Sequence, residues 1–252
     1  AQLNAMRLTD LRLFHEILDS VLGDPSVRVI VLCGAGKGFC AGLDLKSVLD
    51  AEGRLAMDVD AAWDLQRCFS GLIRRLRATE ATVIAEVQGV AVGAGMALAL
   101  AADLRFAAPG ASFHVGAVRI GLTAGECGIS YHLPRLIGAA RAFELMLTGR
   151  PMPAQEALSA GLVVDVVEPG ALHARALESA EQILRNSPYA TAHTKPLMWS
   201  NLDAGSLDAA IELENHTQVL GLMTPDFREA ALAFVEKRPP VFSRPGQPSL
   251  SA

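Results

Sequence analysis

Gly89-Val90-Ala91-Val92-Gly93-Ala94-Gly95-Met96-Ala97 stands directly after the β-branched run of residues 82–87, and its reading decides the fold. Three glycines among small side chains let a chain turn tightly and let a second backbone come close. A strand over 82–87 therefore runs into a glycine loop that opens a helix of small residues. The apolar stretch continues over residues 90–102; at 13 residues with two glycines it falls short of the roughly 18 to 20 that cross a bilayer, and it reads as buried core.

The same order occurs once before. Residues 27–33 form an apolar run expected to be a buried strand, bounded by Gly34-Ala35-Gly36 and followed by Phe39-Cys40-Ala41-Gly42-Leu43-Asp44-Leu45. Residues 58–77 then carry helical spacing through Trp63, Leu65, Cys68, Phe69, Leu72, Ile73 and Leu76. Outside these two units, residues 8–22 read as an amphipathic helix closed by Asp24-Pro25, and 104–107 and 112–114 as short strands. From Gly138 onward helices dominate, interrupted by an expected strand at 162–167, and the end from Arg244 reads as a loose tail. No linker, repeat block or charge run divides the chain, which gives an α/β core with a helical carboxyl-terminal extension.

Composition excludes several classes of function. Among 252 residues, 22 Lys and Arg stand against 27 Asp and Glu, a net charge of −5 with no basic stripe, so a nucleic-acid partner is not expected. A hydrophobic fraction of 51% against 19% charged residues points to apolar surface buried between subunits. Cys33, Cys40, Cys68 and Cys127 lack metal or redox spacing, so neither disulfides nor a metal site is expected and the thiols fit a reducing, cytoplasmic setting.

Both glycine loops bring main-chain amides within reach of a ligand, and a helix start leaves such amides unpaired and positively polarised. Two of them facing one point would form an oxyanion hole; tight turns and close helix packing explain each loop taken singly. Neither loop fits the G-x-G-x-x-G dinucleotide pattern with an acid about 20 residues on.

At this point the sequence resembles the enoyl-CoA hydratase/isomerase, or crotonase, family. Leu3-Asn4-Ala5-Met6 is similar to its A-L-N-A-L segment, residues 39–46 to F-x-A-G-x-D-L-K, and residues 89–103 to G-x-A-x-G-G-G-x-E-L-A-x-x-C-D. Residues 113–138, through Leu133-Pro134-Arg135-Leu136-Ile137-Gly138, resemble the next signature. Similar stretches follow in Leu147-Thr148-Gly149-Arg150, in 157–163 and in 233–239. The resemblance implies a spiral of strand-strand-helix (ββα) units with a helical carboxyl-terminal region that makes homotrimers or dimers of trimers. On that reading residues 1–190 form the acyl-CoA-binding core and 191–252 the oligomerisation region. Family sequences usually begin earlier than this one, with strands before the A-L-N segment, so residues preceding Ala1 are expected.

Carried over residue by residue, the resemblance puts two oxyanion donors on the backbone N–H groups of Leu43 and Ala94. Ala41, Asp44, Lys46, Ala97, Ala117 and Lys237 become substrate-binding positions. Lys46 and Lys237, or its neighbour Arg238, correspond to positions near the coenzyme A phosphates. Coenzyme A enters as part of an acyl-CoA thioester substrate, with no separate cofactor. The family's two catalytic glutamates map to Ala97 and Ala117, whose methyl groups cannot carry a proton.

Glu126 is the leading substitute, because an aspartate occupies this segment in the dienoyl-CoA isomerase and 4-chlorobenzoyl-CoA dehalogenase branches. Its alternatives are a cap on the following helix or a pair with Arg119. His114 and His132 read as structural, Asp44 as an organiser of its own loop, Asp103 as a structural aspartate, Glu86 as a solvent or subunit contact, and Phe227, Phe234 and Phe242 as packing residues. The expected function is an acyl-CoA enzyme of lyase or isomerase type in fatty-acid metabolism, isomerase-like or an atypical hydratase, that uses Glu126. The alternative is a non-catalytic acyl-CoA carrier.

Overall fold

A computed structural model describes residues 3–242. The expected tail from Arg244 lies outside the described residues. Those described fall into two compact units, one of residues 3–20, 31–77 and 83–177, the other of 21–30, 78–82 and 178–242.

The chain opens with helix α1 (Leu8–Leu22), strand β1 (Val29–Cys33) and helix α2 (Val59–Ala78). Asp58 starts α2 by accepting the Ala61 N–H at 2.8 Å, and the helix buries Leu65, Phe69, Leu72, Ile73 and Leu76 along one stripe. Next come β2 (Thr82–Val87), β3 (Val90–Val92), α3 (Ala94–Ala101), β4 (Leu104–Ala107), β5 (Ser112–His114), α4 (Ile129–Ile137), α5 (Ala139–Thr148), β6 (Met152–Pro153), α6 (Ala154–Ser159), β7 (Asp165–Val166) and α7 (Pro169–Leu184). The second unit carries α8 (Pro188–Asn201), α9 (Leu207–Leu222) and α10 (Pro225–Glu236). Ser187, Ser206 and Thr224 cap these three helices with side-chain oxygens, and Pro188 and Pro225 open two of them.

Two sheets organise the first unit. One has the order β1-β2-β4-β7, with β2, β4 and β7 paired in parallel; the other has the order β3-β5-β6, with β3 parallel to β5. Each turn of the chain therefore lays one strand in the first sheet and the next in the second. Val87 hands over to Val90 through Gln88-Gly89, and Gly89 (φ +60°) cannot carry a Cβ because the Lys37 carbonyl oxygen occupies its place. The preceding turn repeats the pattern in abbreviated form: β1, a single bridge of Cys40 to Ala91, then α2. These are the ββα units that the family resemblance implied.

Helix α3 lies at the centre of this unit, with all eight residues buried. Around it the largest fully buried side chains include Phe106, Phe113, Leu72, Ile84, Met96 and Leu133. Removal of such a side chain from water contributes roughly 1.5 to 3 kcal/mol. Arg105, fully buried, donates to the carbonyls of Leu162 (2.7 Å) and Ala102 (2.5 Å); burial lowers its pKa to about 10, which leaves it charged. Asp103 accepts the Val83 N–H at 2.8 Å and lies 3.8 Å from Arg77, the structural role expected of it.

Several readings of the sequence need correction. Residues 89–97 are not one loop, since Val90–Val92 pairs with β5 as a strand. The strand expected at 27–33 starts at Val29 and is half-buried, because β1 is an edge of its sheet. Of 162–167 only Asp165–Val166 is strand; Leu162 and Val163 turn into the core, although the Val164 and Val167 N–H groups still bond to β4. Trp63 is 59% exposed on the flank of α2. Glu86 is buried, not solvent-facing, and takes the His173 Nδ1–H at 2.8 Å. Phe227 and Phe234 do not pack inside their unit, with Phe234 85% exposed.

Candidate active site

Residues 41–44 run beside the amino-terminal segment 3–6, and the amides of Ala41, Gly42 and Asp44 are spoken for in turn. Ala41 N–H donates to Leu3 O (2.9 Å), Gly42 N–H to Cys40 Sγ (3.4 Å) and Asp44 N–H to Met6 O (3.0 Å), while Gly42 O accepts from Met6 N–H (2.7 Å). The parallel bridge of Met6 to Leu43 thus uses the amides on either side of Leu43 and leaves that of Leu43 itself directed away from the ladder.

The second amide belongs to the first residue of α3. Gly93 precedes the helix with φ +52° and ψ −119°, a conformation closed to residues with a side chain, and no side chain caps the helix. Gly93 N–H is held by His114 O (2.9 Å), and the first closed turn runs from Ala97 N–H to Gly93 O (2.9 Å). Among the described residues no backbone carbonyl accepts from Leu43 or Ala94. The two segments touch: a Cβ placed on Gly42 would stand 2.7 Å from Val92 O and 3.4 Å from Ala94 N, and one on Gly95 would collide with the Cys40 carbonyl.

Glu126 reaches the same place from the loop before α4. A Cβ placed on Gly93 would meet Glu126 Oε1 at 3.0 Å, so the carboxylate lies against the α3 amino terminus. Neither sequence alternative for it is seen. Its backbone carbonyl, not its carboxylate, starts α4 by accepting Ile129 N–H (2.8 Å), and among the described residues no Arg119 pair or other hydrogen bond engages the carboxylate. Burial without a counter-charge raises its pKa above the usual carboxylate value. Cys127 beside it holds φ +46°, and burial, followed by the Glu126 charge, pushes its thiol up to about 12, so it remains an unreactive SH.

Ala97 and Ala117 are buried methyl groups. Asp44 orders its own loop by accepting Lys46 N–H at 3.1 Å; Lys46 and half-buried Ala41 complete the segment, with the Lys46 side chain in solvent. His114 pairs with Ser112 Oγ (2.8 Å), and burial, then Arg119, lowers its pKa. Burial together with Arg77, Arg105 and Arg135 brings His132 down to about 4, so both imidazoles are neutral near pH 7. In the second unit Lys237 ends α10 in a left-handed conformation and is exposed, whereas Arg238 is committed to Glu229 and Glu236.

The sequence reading missed Gly93 as the surface against which Glu126 lies, and Cys40 as a hydrogen-bonding member of the first loop. The only signals for them were a glycine one residue ahead of an expected donor and a cysteine inside the F-x-A-G motif. No group of three or more His, Cys, Asp or Glu among the described residues is placed to hold a metal ion.

A family model described as enoyl-CoA hydratase/isomerase matches residues 1–245. The chain is 40% identical over 244 residues to a probable enoyl-CoA hydratase of Mycobacterium leprae, covering 95% of this chain and 82% of that one. It is 34% identical over 229 residues to the 1,2-epoxyphenylacetyl-CoA isomerase of Escherichia coli, covering 90% and 86%. Among solved structures, a probable enoyl-CoA hydratase/isomerase from Mycobacterium abscessus superposes with a TM-score of 0.85 at 38% identity, over 95% of this chain and 90% of the other.

Proposed function

The chain belongs to the enoyl-CoA hydratase/isomerase family, and from that premise we propose that it is an acyl-CoA enzyme that moves a proton between carbons of a thioester-conjugated chain. The observation that carries the reading is the Glu126 carboxylate against Gly93, beside the amides of Leu43 and Ala94; Ala97 and Ala117, which the resemblance assigns to the family's two glutamate positions, are buried methyl groups.

The thioester oxygen sits between the Leu43 and Ala94 N–H groups. Glu126, ionised, takes a proton from a carbon conjugated with the thioester; the C–H electron pair moves into the chain and charge collects on the oxygen. Two preorganised amides stabilise that charge, each worth roughly 3 to 4 kcal/mol in the transition state. Glu126, now neutral, returns the proton to a different carbon, so that one C–H bond breaks, another forms and the double bond shifts. No oxidant or water is consumed. A raised pKa suits a group that must hold the proton between the two steps. Addition of water by the family's paired carboxylates has no support here, since neither Ala97 nor Ala117 can bind or split it.

Lys46 and Lys237 are assigned to the coenzyme A phosphates as exposed cations. Leu207, Val219, Leu220 and Met223, exposed along and just beyond α9, support burial against another subunit, and the family resemblance assigns the assembly as a trimer or dimer of trimers. No helix among the described residues is long and apolar enough to cross a membrane, and the free thiols fit the cytoplasm.

The test is Glu126→Gln with 2-enoyl- and 3-enoyl-CoA substrates. Turnover and exchange of the substrate proton with deuterated solvent fall by about 10²- to 10⁴-fold, while acyl-CoA affinity by calorimetry stays near wild type. Unchanged turnover removes Glu126 from the chemistry. A wild type that binds thioesters and turns over no enoyl or dienoyl substrate is a carrier.

A further inference from the structure

Cys40 ties the loop that carries the Leu43 amide to three neighbouring segments. Its N–H donates to Val90 O (3.1 Å) and its carbonyl accepts from Val92 N–H (2.9 Å), which pins it to the strand that leads into α3. Gly95 of α3 packs on that carbonyl so closely that no Cβ would fit between them. The buried thiol donates to Asn4 O (3.3 Å) and accepts the Gly42 N–H (3.4 Å). Burial raises the thiol's pKa, which keeps the proton that it donates to Asn4 O.

Asn4 is the other fixed point. It holds φ +56°, a left-handed conformation that asparagine tolerates, and its side-chain NH2 donates to Ala35 O (3.0 Å), Gly38 O (2.8 Å) and Phe39 O (3.1 Å). One side chain thus gathers the carbonyls of the loop between β1 and Cys40. Neither residue reaches the space in front of the Leu43 and Ala94 amides; both act on the backbone that carries the first of them.

We infer that Asn4 and Cys40 are positioning residues that aim the Leu43 N–H at the substrate's thioester oxygen. The inference rests on the proposed function and extends it to groups that touch no substrate. The ladder to residues 3–6 holds the residues on either side of Leu43, and Asn4 and Cys40 fix that ladder against the preceding loop and the start of α3, within the few tenths of an ångström that a hydrogen bond tolerates.

The experiment compares two probes, butyryl-CoA and its thioether analogue S-butyl-CoA, which lacks the carbonyl oxygen. Calorimetry on the full chain gives the ratio of their dissociation constants, which in the wild type favours the thioester by about tenfold or more. In Asn4→Asp, whose carboxylate would face three carbonyl oxygens, and in Cys40→Ala, that ratio falls at least about fivefold, with S-butyl-CoA affinity unchanged. Cys40→Ser, which again donates and accepts, restores most of the preference. Should Asn4→Asp not fold, Asn4→Gln keeps the amide and shifts it by one methylene, and it also lowers the ratio. Folded variants that retain the full preference overturn the inference and leave the proposed function standing. A wild type that binds both probes equally overturns the proposed function, and the inference with it.

Discussion

Gly93→Ala separates the backbone of the site from its chemistry. Two costs are written into the coordinates. The first is conformational: φ +52° with ψ −119° is open to glycine and strained for alanine, at about 1 to 3 kcal/mol. The second is contact: the new Cβ stands 3.0 Å from Glu126 Oε1, several tenths of an ångström inside normal contact, and the carboxylate must retreat. That retreat is inexpensive for stability, because Oε1 ends a flexible side chain, but it moves the proton-carrying group off its station. With about 2 kcal/mol as the central value, thermal denaturation of a chain this size shows a Tm lower by roughly 4 to 8 °C.

Turnover falls by more than the fraction unfolded explains. A double-mutant cycle tells the two costs apart. In a Glu126→Ala background Gly93→Ala loses the same stability, since the backbone strain is unchanged, but costs no further activity. A Gly93→Ala protein with wild-type Tm would refute the strained geometry before α3. One that is destabilised yet retains full turnover would show that Glu126 does not work from the Gly93 side.

Glu126→Gln makes the protein more stable at neutral pH. The folded pKa of Glu126 is raised by burial, so its stability contribution is complete below the unfolded value near 4.5 and is lost as pH rises through the folded one; urea titrations of wild type and variant coincide in acid and diverge above it. His132 has the opposite sign: its folded pKa of about 4 lies below the ordinary imidazole value of 6.5, so stability is full above 6.5 and declines as pH falls toward 4, with uptake of about one proton on unfolding. In His132→Gln the proton uptake measured across that window shrinks by the same amount. Gly42→Ala places a Cβ 2.7 Å from Val92 O at φ +81°, and the first loop lifts from α3; thioester affinity drops by about tenfold or more, read by calorimetry against S-butyl-CoA as control.

Local order was legible in the sequence wherever one segment decides its own shape. The run at 82–87, the glycines at 89 and 93 and the small residues after them announce strand, turn and helix, and the helix at 8–22 ends where expected. Single-residue pairings were not, because a three-residue strand such as Val90–Val92 exists only through its partner Ser112–His114. Trp63 fits the helical period of α2 and still faces solvent, since a period gives the direction of a stripe and not its width. The same limit applies to the site. Leu43, Ala94, Ala97 and Ala117 follow from motif counting, whereas the approach of Glu126 to Gly93 joins two distant loops whose register a single sequence leaves open. The contact of buried Glu86 with exposed His173 escaped for that reason too: nothing near residue 86 reveals that an imidazole from α7 arrives there.

Helix α3, closed in on every side, has an implication for how such a protein changes over time. The Ala94 amide at its start belongs to the main chain, so a substitution reaches it only through the packing around it. Glu126 rides a surface loop bounded by Gly125 and Gly128, where exchanging one residue alters reactivity and leaves the interior intact. On the proposed function, a change of chemistry is therefore within reach of a substitution at the rim, with the amides offered to a carbonyl left in place.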